Sequence, residues 1–164
     1  MSELSLKVRK ASLDDSASLL QMMRQLAEFE GYLDNFLVTA EELEARLFHK
    51  NDFDVFVAET NNTVSGMLVY YHLPFTYDLT PWVYIKELFV KPEFRQMSVG
   101  KELMKSLAQE CKDIGCKKIR WDILTSNISA KKFYKSLGAK HEMDWSFFSI
   151  TEDSISQLAN TITH

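Results

Sequence analysis

Between Tyr84 and Leu107 the chain reads YIKELFVKPEFRQMSVGKELMKSL, and the residue types in that stretch suit an anion site. An apolar segment fit for a strand breaks at Lys91-Pro92, crosses a short loop from Glu93 to Ser98, and enters a helix near Val99-Gly100. A helix start exposes unpaired backbone N–H groups at the positive end of the helix dipole, and both attract a phosphate. Arg95 and Lys101 flank that point and add charge-assisted donors. Neither the Walker A pattern nor the dinucleotide fingerprint is present, because the loop holds one glycine, Gly100. The loop alone fits two readings: a grip on a phosphate-bearing ligand, or an ordinary connection with a solvated Arg and Lys.

The elements that must position this loop follow from periodicity. Leu4 to Ala11 alternates as a half-buried strand does. Ser12-Leu13-Asp14-Asp15 opens an amphipathic helix that carries Leu19, Leu20, Met23, Leu26 and Ala27 on one face to about Phe29, and Gly31 ends it. Thr39-Ala40-Glu41-Glu42 is a capping box that opens a second helix to about Phe48. Phe53–Glu59 and Thr63–Leu73 read as strands joined at Asn61-Asn62, where asparagine tolerates the positive φ of a hairpin turn. The loop PFTYDLTP, 74–81, leads into the central strand as a candidate pocket wall. A helix with Leu103, Met104, Leu107, Ala108, Cys111 and Ile114 on one face stops at Gly115. Lys118–Leu124 is a strand, Asn127 or Ser129 caps a helix with core face Ala130, Phe133 and Leu137, and Gly138 closes it. Trp145–Ile150 reads as a final strand and Thr151–Thr161 as a terminal helix. Helices between strands in the second half imply parallel pairing by right-handed crossover. The fold class is α/β (α+β), with a mixed sheet flanked by helices.

At 164 residues the chain suits a single domain, 1–164, with its own core. A formal net charge of -4 argues against a nucleic-acid partner. No apolar run approaches the ~20 residues that span a bilayer, and MSELSLKVRK lacks a signal-peptide core, so a cytoplasmic location with no membrane partner is expected. Cys111 and Cys116 match no metal or redox spacing, and with the four histidines scattered no structural metal is expected.

The segment WDILTSNISAKKFYKSLGA, 121–139, closely resembles the part of the GNAT acetyltransferases in which a strand ends before Asn, a helix follows, and Phe-Tyr precedes Leu-Gly-Ala. Arg95-x-x-Ser98-x-Gly100 resembles that family's pyrophosphate loop, with Ser98 where a first glycine is usual. YIKELFV and EMDWSFFSIT fall in the family's order, and the match covers most of the chain. LAEFE at 26–30, YYHLPFTYD at 70–78 and the LFV strand are most like the branch of diamine, spermidine/spermine and thialysine acetyltransferases. The resemblance implies a mostly antiparallel sheet with a splayed parallel strand pair, and acetyl transfer from acetyl-CoA, as cosubstrate, to a primary amine in a ternary complex. It implies that the backbone of Leu88, Phe89 and Val90 pairs with the pantetheine arm. Arg95, Gln96, Met97, Ser98, Val99, Gly100 and Lys101 would hold the pyrophosphate, with Asn127, Tyr134 and Lys135 also at coenzyme A. A small-molecule amine is then the partner, and a homodimer is expected by analogy, with Trp82 and Trp145 as exposed aromatics.

Within this frame Tyr134 is the candidate acid. Phe133 and Tyr134 lie ~100° apart on their helix, so if Phe133 packs inward Tyr134 points to the splay. A phenol of pKa ~10 can protonate a departing thiolate of ~8.5. Glu87 can bind the ammonium of the acceptor and accept its proton, since only the neutral amine attacks. Glu30 and Trp82 complete the expected acceptor site, although solvated helix faces explain most of the acids near Glu30. The polyamine-like branch commonly has an acidic pair where this chain has Lys86-Glu87. Strand alternation leaves open whether Lys86 faces the pocket and disfavours a dication. Serine at positive φ would cost ~1–2 kcal/mol, with cofactor binding expected to survive. A protein or peptide amine as acceptor, and a non-catalytic coenzyme A-binding regulator, are the alternatives.

Overall fold

The computed structural model describes residues 3–161, and the chain divides after Thr125 into two compact units. The first is a five-stranded sheet in the order β1-β2-β3-β4-β5. Its strands are β1 Leu6–Lys10, β2 Asp54–Thr60, β3 Thr63–Leu73, β4 Trp82–Val90 and β5 Lys118–Arg120. The first three junctions are antiparallel, and only β4–β5 is parallel. Asn61 and Asn62 turn β2 into β3 at φ 50 and 65, the left-handed pair a two-residue hairpin requires. On one face lie α1, Ser16–Glu30, and α2, Ala40–Glu44, and on the other lies α3, Val99–Asp113.

Strand alternation feeds both faces. Val55, Val57, Met67, Val69 and Phe89 pack under Leu19, Met22 and Leu26 of α1 and Leu43 of α2. Phe56, Leu68, Tyr70, Val83 and Ile85 pack under Val99, Leu103, Leu107 and Cys111 of α3. Each such side chain contributes about 1.5–3 kcal/mol when fully buried. Gly66 of β3 admits the start of α3: a Cβ there would lie 3.0 Å from the Phe89 carbonyl oxygen and 3.0 Å from Val99 Cγ1. The loop before α3 is thereby held against the end of β4. Farther along α3, Tyr70 donates its hydroxyl proton to Glu110 and accepts from Lys10. Burial and that carboxylate raise the phenol far above its usual range.

Where β1 meets α1, the Arg9 guanidinium bridges Asp15, at 2.7 and 2.9 Å, and Glu59, at 2.8 Å. Burial favours the neutral acid at Asp15, but hydrogen bonds from Arg9 and Ser12 outweigh it and hold the carboxyl below its ordinary range. A depressed carboxyl contributes stability above its unfolded pKa of ~3.9 and loses it as pH falls through the folded value. Arg9→Met strands a buried anion and is expected to cost about 3 kcal/mol near neutral pH. Urea denaturation at pH 7 and pH 3 checks this, and the loss should shrink at the lower pH.

Two expected strands are corrected. The strand read as Lys118–Leu124 ends at Arg120, because its pairing with β4 stops at Tyr84↔Arg120. Trp145–Ile150 forms no strand. The second unit has only helices, α4 Ile128–Ser136 and α5 Glu152–Ala159, among its described residues, so no neighbouring strand takes the backbone groups of that segment. Its Phe148 is 96% exposed. The expected core face of α4 also shifts: Tyr134 is its buried residue, while Ala130, Phe133 and Leu137 are half-buried.

Candidate active site

Three pairings join β4 to β5, and the remaining length of β4 toward Val90 has no strand on that side among the described residues. Val90 carbonyl accepts from Arg95 Nε at 3.2 Å, so it points away from β3, whereas the next N–H, of Lys91, bonds Ser65 of β3. Alternation then turns the N–H and C=O of Leu88 and Val90 to the open edge and commits those of Phe89 to β3. Of the expected trio, Leu88 and Val90 thus have backbone groups facing the open edge of β4.

The open edge runs into the loop. Pro92–Phe94 makes a single 3-10 turn, and Gln96 and Ser98 take φ 61 and 64 before α3 begins. Ser98 thus adopts the left-handed backbone that glycine supplies without strain, and Gln96 does so too, which the sequence did not signal. Ser98 has no side-chain cap bond, and its carbonyl accepts from Glu102 N–H at 3.0 Å. Ser98→Gly relieves strain of ~1–2 kcal/mol and adds ~0.5–1 kcal/mol of unfolded-chain entropy, so a net gain of up to about 1.5 kcal/mol is expected. The denaturation midpoint measures it.

Residues expected at the acceptor site meet on the α1 face. Val69 pairs with Glu87 and Tyr70 with Ile85, leaving Lys86 as the extra residue of a β-bulge. The bulge switches parity: Val83 and Ile85 face α3 before it, and Leu88 and Val90 do so after it. Lys86 and Glu87 therefore share the α1 face, and Lys86 Nζ lies 2.8 Å from Glu87 Oε1. The question alternation left open is answered: Lys86 faces the candidate pocket. Glu87 is 9% exposed, and its Oε2 is buried with no hydrogen-bond partner. An orphaned carboxylate oxygen at such depth calls for a donor.

Two more acids share this field. Glu30, at the end of α1, has its carboxyl raised by burial and then by Glu87 and Asp122, with Lys86 opposing. Tyr32, just past the left-handed turn at Gly31, is pushed up to about 12 by burial, Glu87 and Glu30. Asp122 and Tyr32 were missed from the sequence. Asp122 lies two residues past the end of β5, where alternation no longer fixes its side. Tyr32 carried no pattern. Among the described residues no group of three His, Cys, Asp or Glu is placed to hold a metal ion.

Trp82 is buried rather than exposed, as a strand residue pairing with Leu73 and Lys118. Tyr77 of the 74–81 loop packs on it edge-on at 6.0 Å. A cavity of about 660 Å³ opens beside Phe53, Tyr71 and Lys86. A more apolar one of about 390 Å³ lies among Met23, Leu43, Leu47, Phe53 and Lys86. Its Leu47 and Arg46 sit on the π-helical turn Ala45–His49 that extends α2, a kind of distortion frequent at functional sites.

In the second unit, α4 is fixed at both ends. Asn127 Oδ1 caps Ala130 N–H at 3.1 Å, and the Tyr134 carbonyl accepts from Leu137 and Ala139 where Gly138 turns at φ 90. The Tyr134 and Phe133 rings are 5.1 Å apart. Lys135 is exposed on the last turn.

Residues 19–139 match the model of the acetyltransferase (GNAT) family. The chain is 30% identical to "Thialysine N-epsilon-acetyltransferase" of Sus scrofa, over 94% of this chain and 98% of that protein. It is 26% identical to human "Spermidine/spermine N(1)-acetyltransferase-like protein 1", over 93% of this chain and 24% of the relative. An integron cassette protein from the mobile metagenome of V. cholerae has the same fold, with a TM-score of 0.80 at 22% identity over 97% of this chain and 100% of that one. Sheet, splayed parallel pair and family match agree, and the chain belongs to the acetyltransferase (GNAT) family, as an acetyl-CoA-dependent N-acetyltransferase.

Proposed function

We propose that the acceptor is the primary amine of a small molecule of the diamine, polyamine or thialysine type, attacking directly in a ternary complex. The observation that carries this reading is the buried, unpartnered Oε2 of Glu87, set on β4 beside Glu30 and Asp122. An alkylammonium supplies the missing donors and the positive charge that three neighbouring carboxylates favour. The names of two relatives add support, since one refers to thialysine and the other to spermidine and spermine.

Acetyl-CoA supplies an acetyl group activated as its thioester. The residues present fit it: Leu88 and Val90 offer backbone groups to the pantetheine arm, and the loop from Arg95 to Lys101 offers α3 N–H groups and two cations to the pyrophosphate. Asn127 and Lys135 are further contacts carried over from the family pattern. Glu87 takes the ammonium proton, directly or through water, and frees the lone pair for attack. Tyr134 gives its phenolic proton to the departing sulfur. A single catalytic domain, 1–164, a homodimer and a cytoplasmic location accompany the reading by analogy with the same branch.

Free thiol released from acetyl-CoA, followed across diamines, polyamines, thialysine and peptides, tests it. Turnover of a small amine, with peptides slower by at least tenfold, is expected. Turnover confined to peptides contradicts it, and coenzyme A binding without turnover of any acceptor points to a regulator instead.

A further inference from the structure

The bulge at Lys86 sets a cation where the strand would otherwise present only acid. Glu30, Glu87 and Asp122 form one anionic end of the acceptor site. Lys86 follows at 2.8 Å from Glu87, with its side chain 42% exposed and its ammonium 5.6 Å from the Phe53 ring. Beyond it, the 660 Å³ cavity that Lys86 lines also carries Asp52 and Asp54, but Asp52 lies 3.7 Å from Arg46 and Asp54 3.5 Å from His72. Lys86 is thus the charge that directly follows the anionic end on this face. An ammonium has three donors, so Lys86 can hold Glu87 Oε1 and still donate to a second anion.

A ligand complementary to that order is positive, then negative. A diamine or polyamine held at Glu87 Oε2 places uncharged methylenes or another ammonium against Lys86. An α-amino acid with a terminal side-chain amine matches both charges: side-chain ammonium at Glu87 Oε2, carboxylate at Lys86. We propose that Lys86 is a specificity-determining residue that selects acceptors bearing a carboxylate, so that zwitterionic diamino acids are preferred over polyamines. The inference deepens the small-amine reading above and rests on it.

The test compares kcat/KM for thialysine with that for bis(2-aminoethyl) sulfide, the diamine that lacks only its carboxylate. Wild-type protein is expected to favour thialysine by about 10-fold or more, the scale of one charge-assisted hydrogen bond. Lys86→Gln should collapse the ratio toward one, chiefly through a higher KM for thialysine, and Lys86→Glu should reverse it. Lys86→Arg keeps the cation and should keep the preference. Calorimetry with coenzyme A, whose contacts do not include Lys86, confirms that each variant is folded. A wild-type ratio at or below one, or a ratio that survives in both Lys86→Gln and Lys86→Glu, overturns the inference alone. Failure of the wild-type protein to acetylate either amine overturns the small-amine reading with it.

Discussion

Tyr134→Phe is expected to lower kcat by about 10²–10⁴-fold, the span usual for loss of a positioned general acid, while the Kd for coenzyme A stays within about threefold. The change removes one oxygen from a ring that is otherwise kept, so packing against Phe133 is retained. The short helix α4 is capped by Asn127 and closed at the Tyr134 carbonyl, so the backbone under the ring has little freedom. Without the phenol the sulfur must depart as an unprotonated thiolate or take its proton from water. The reading therefore places the whole deficit in kcat. Rapid-quench measurement of the acetyl transfer step, beside calorimetry for coenzyme A, separates the two quantities. A Tyr134→Phe enzyme with unchanged kcat would remove the acid from the scheme.

Glu87→Gln carries the second largest expected effect, roughly a 10²-fold loss in kcat/KM for the amine. The amide keeps the shape of the side chain but does not act as a base at neutral pH, and it turns the 2.8 Å ion pair with Lys86 into a hydrogen bond to a neutral oxygen. A pH signature distinguishes this from a packing defect. In the wild-type protein the Glu30 carboxyl is raised by burial and then by Glu87 and Asp122, so kcat/KM should fall as pH drops through a value above the ordinary carboxylate range. Removing the charge at Glu87 relieves part of that shift, and the acid limb should move to lower pH. Tyr32, pushed up to about 12, stays neutral throughout and adds no limb of its own. A limb that stays in place would show that Glu30 and Glu87 do not share the acceptor field.

Strands β1 to β4, the long helices α1 and α3 and the left-handed stops at Gly31, Gly115 and Gly138 were legible because each depends on local pattern. The left-handed backbone at Ser98 was foreshadowed only by the family resemblance, in which a glycine usually stands there. The bulge was not read, although WVYIKELFV carries its trace. Val83 and Ile85 are odd-numbered and Leu88 and Val90 even-numbered, yet all face α3, which is possible only if one residue is extra. Two consecutive polar residues in an apolar strand mark the place. The end of β5 was hidden for a different reason. KIRWDIL keeps its alternation past Arg120, and only the course of β4 decides where the ladder stops. The segment Trp145–Ile150 has strand-forming residues but no ladder to join within its own unit, and composition cannot supply a neighbour. Asp122, just past β5, enters the field of Glu30 only through tertiary structure, as Tyr32, just past α1, enters that of Glu87, at separations no local pattern spans.

Amide hydrogen exchange at β4, with and without coenzyme A, addresses the splayed edge most directly. The N–H groups of Leu88 and Val90 face the open side, and that of Phe89 is committed to β3. Saturating coenzyme A is predicted to slow exchange at Leu88 and Val90 by at least about 10-fold and to change Phe89 much less. Coenzyme A binding that leaves both Leu88 and Val90 unprotected would contradict the account.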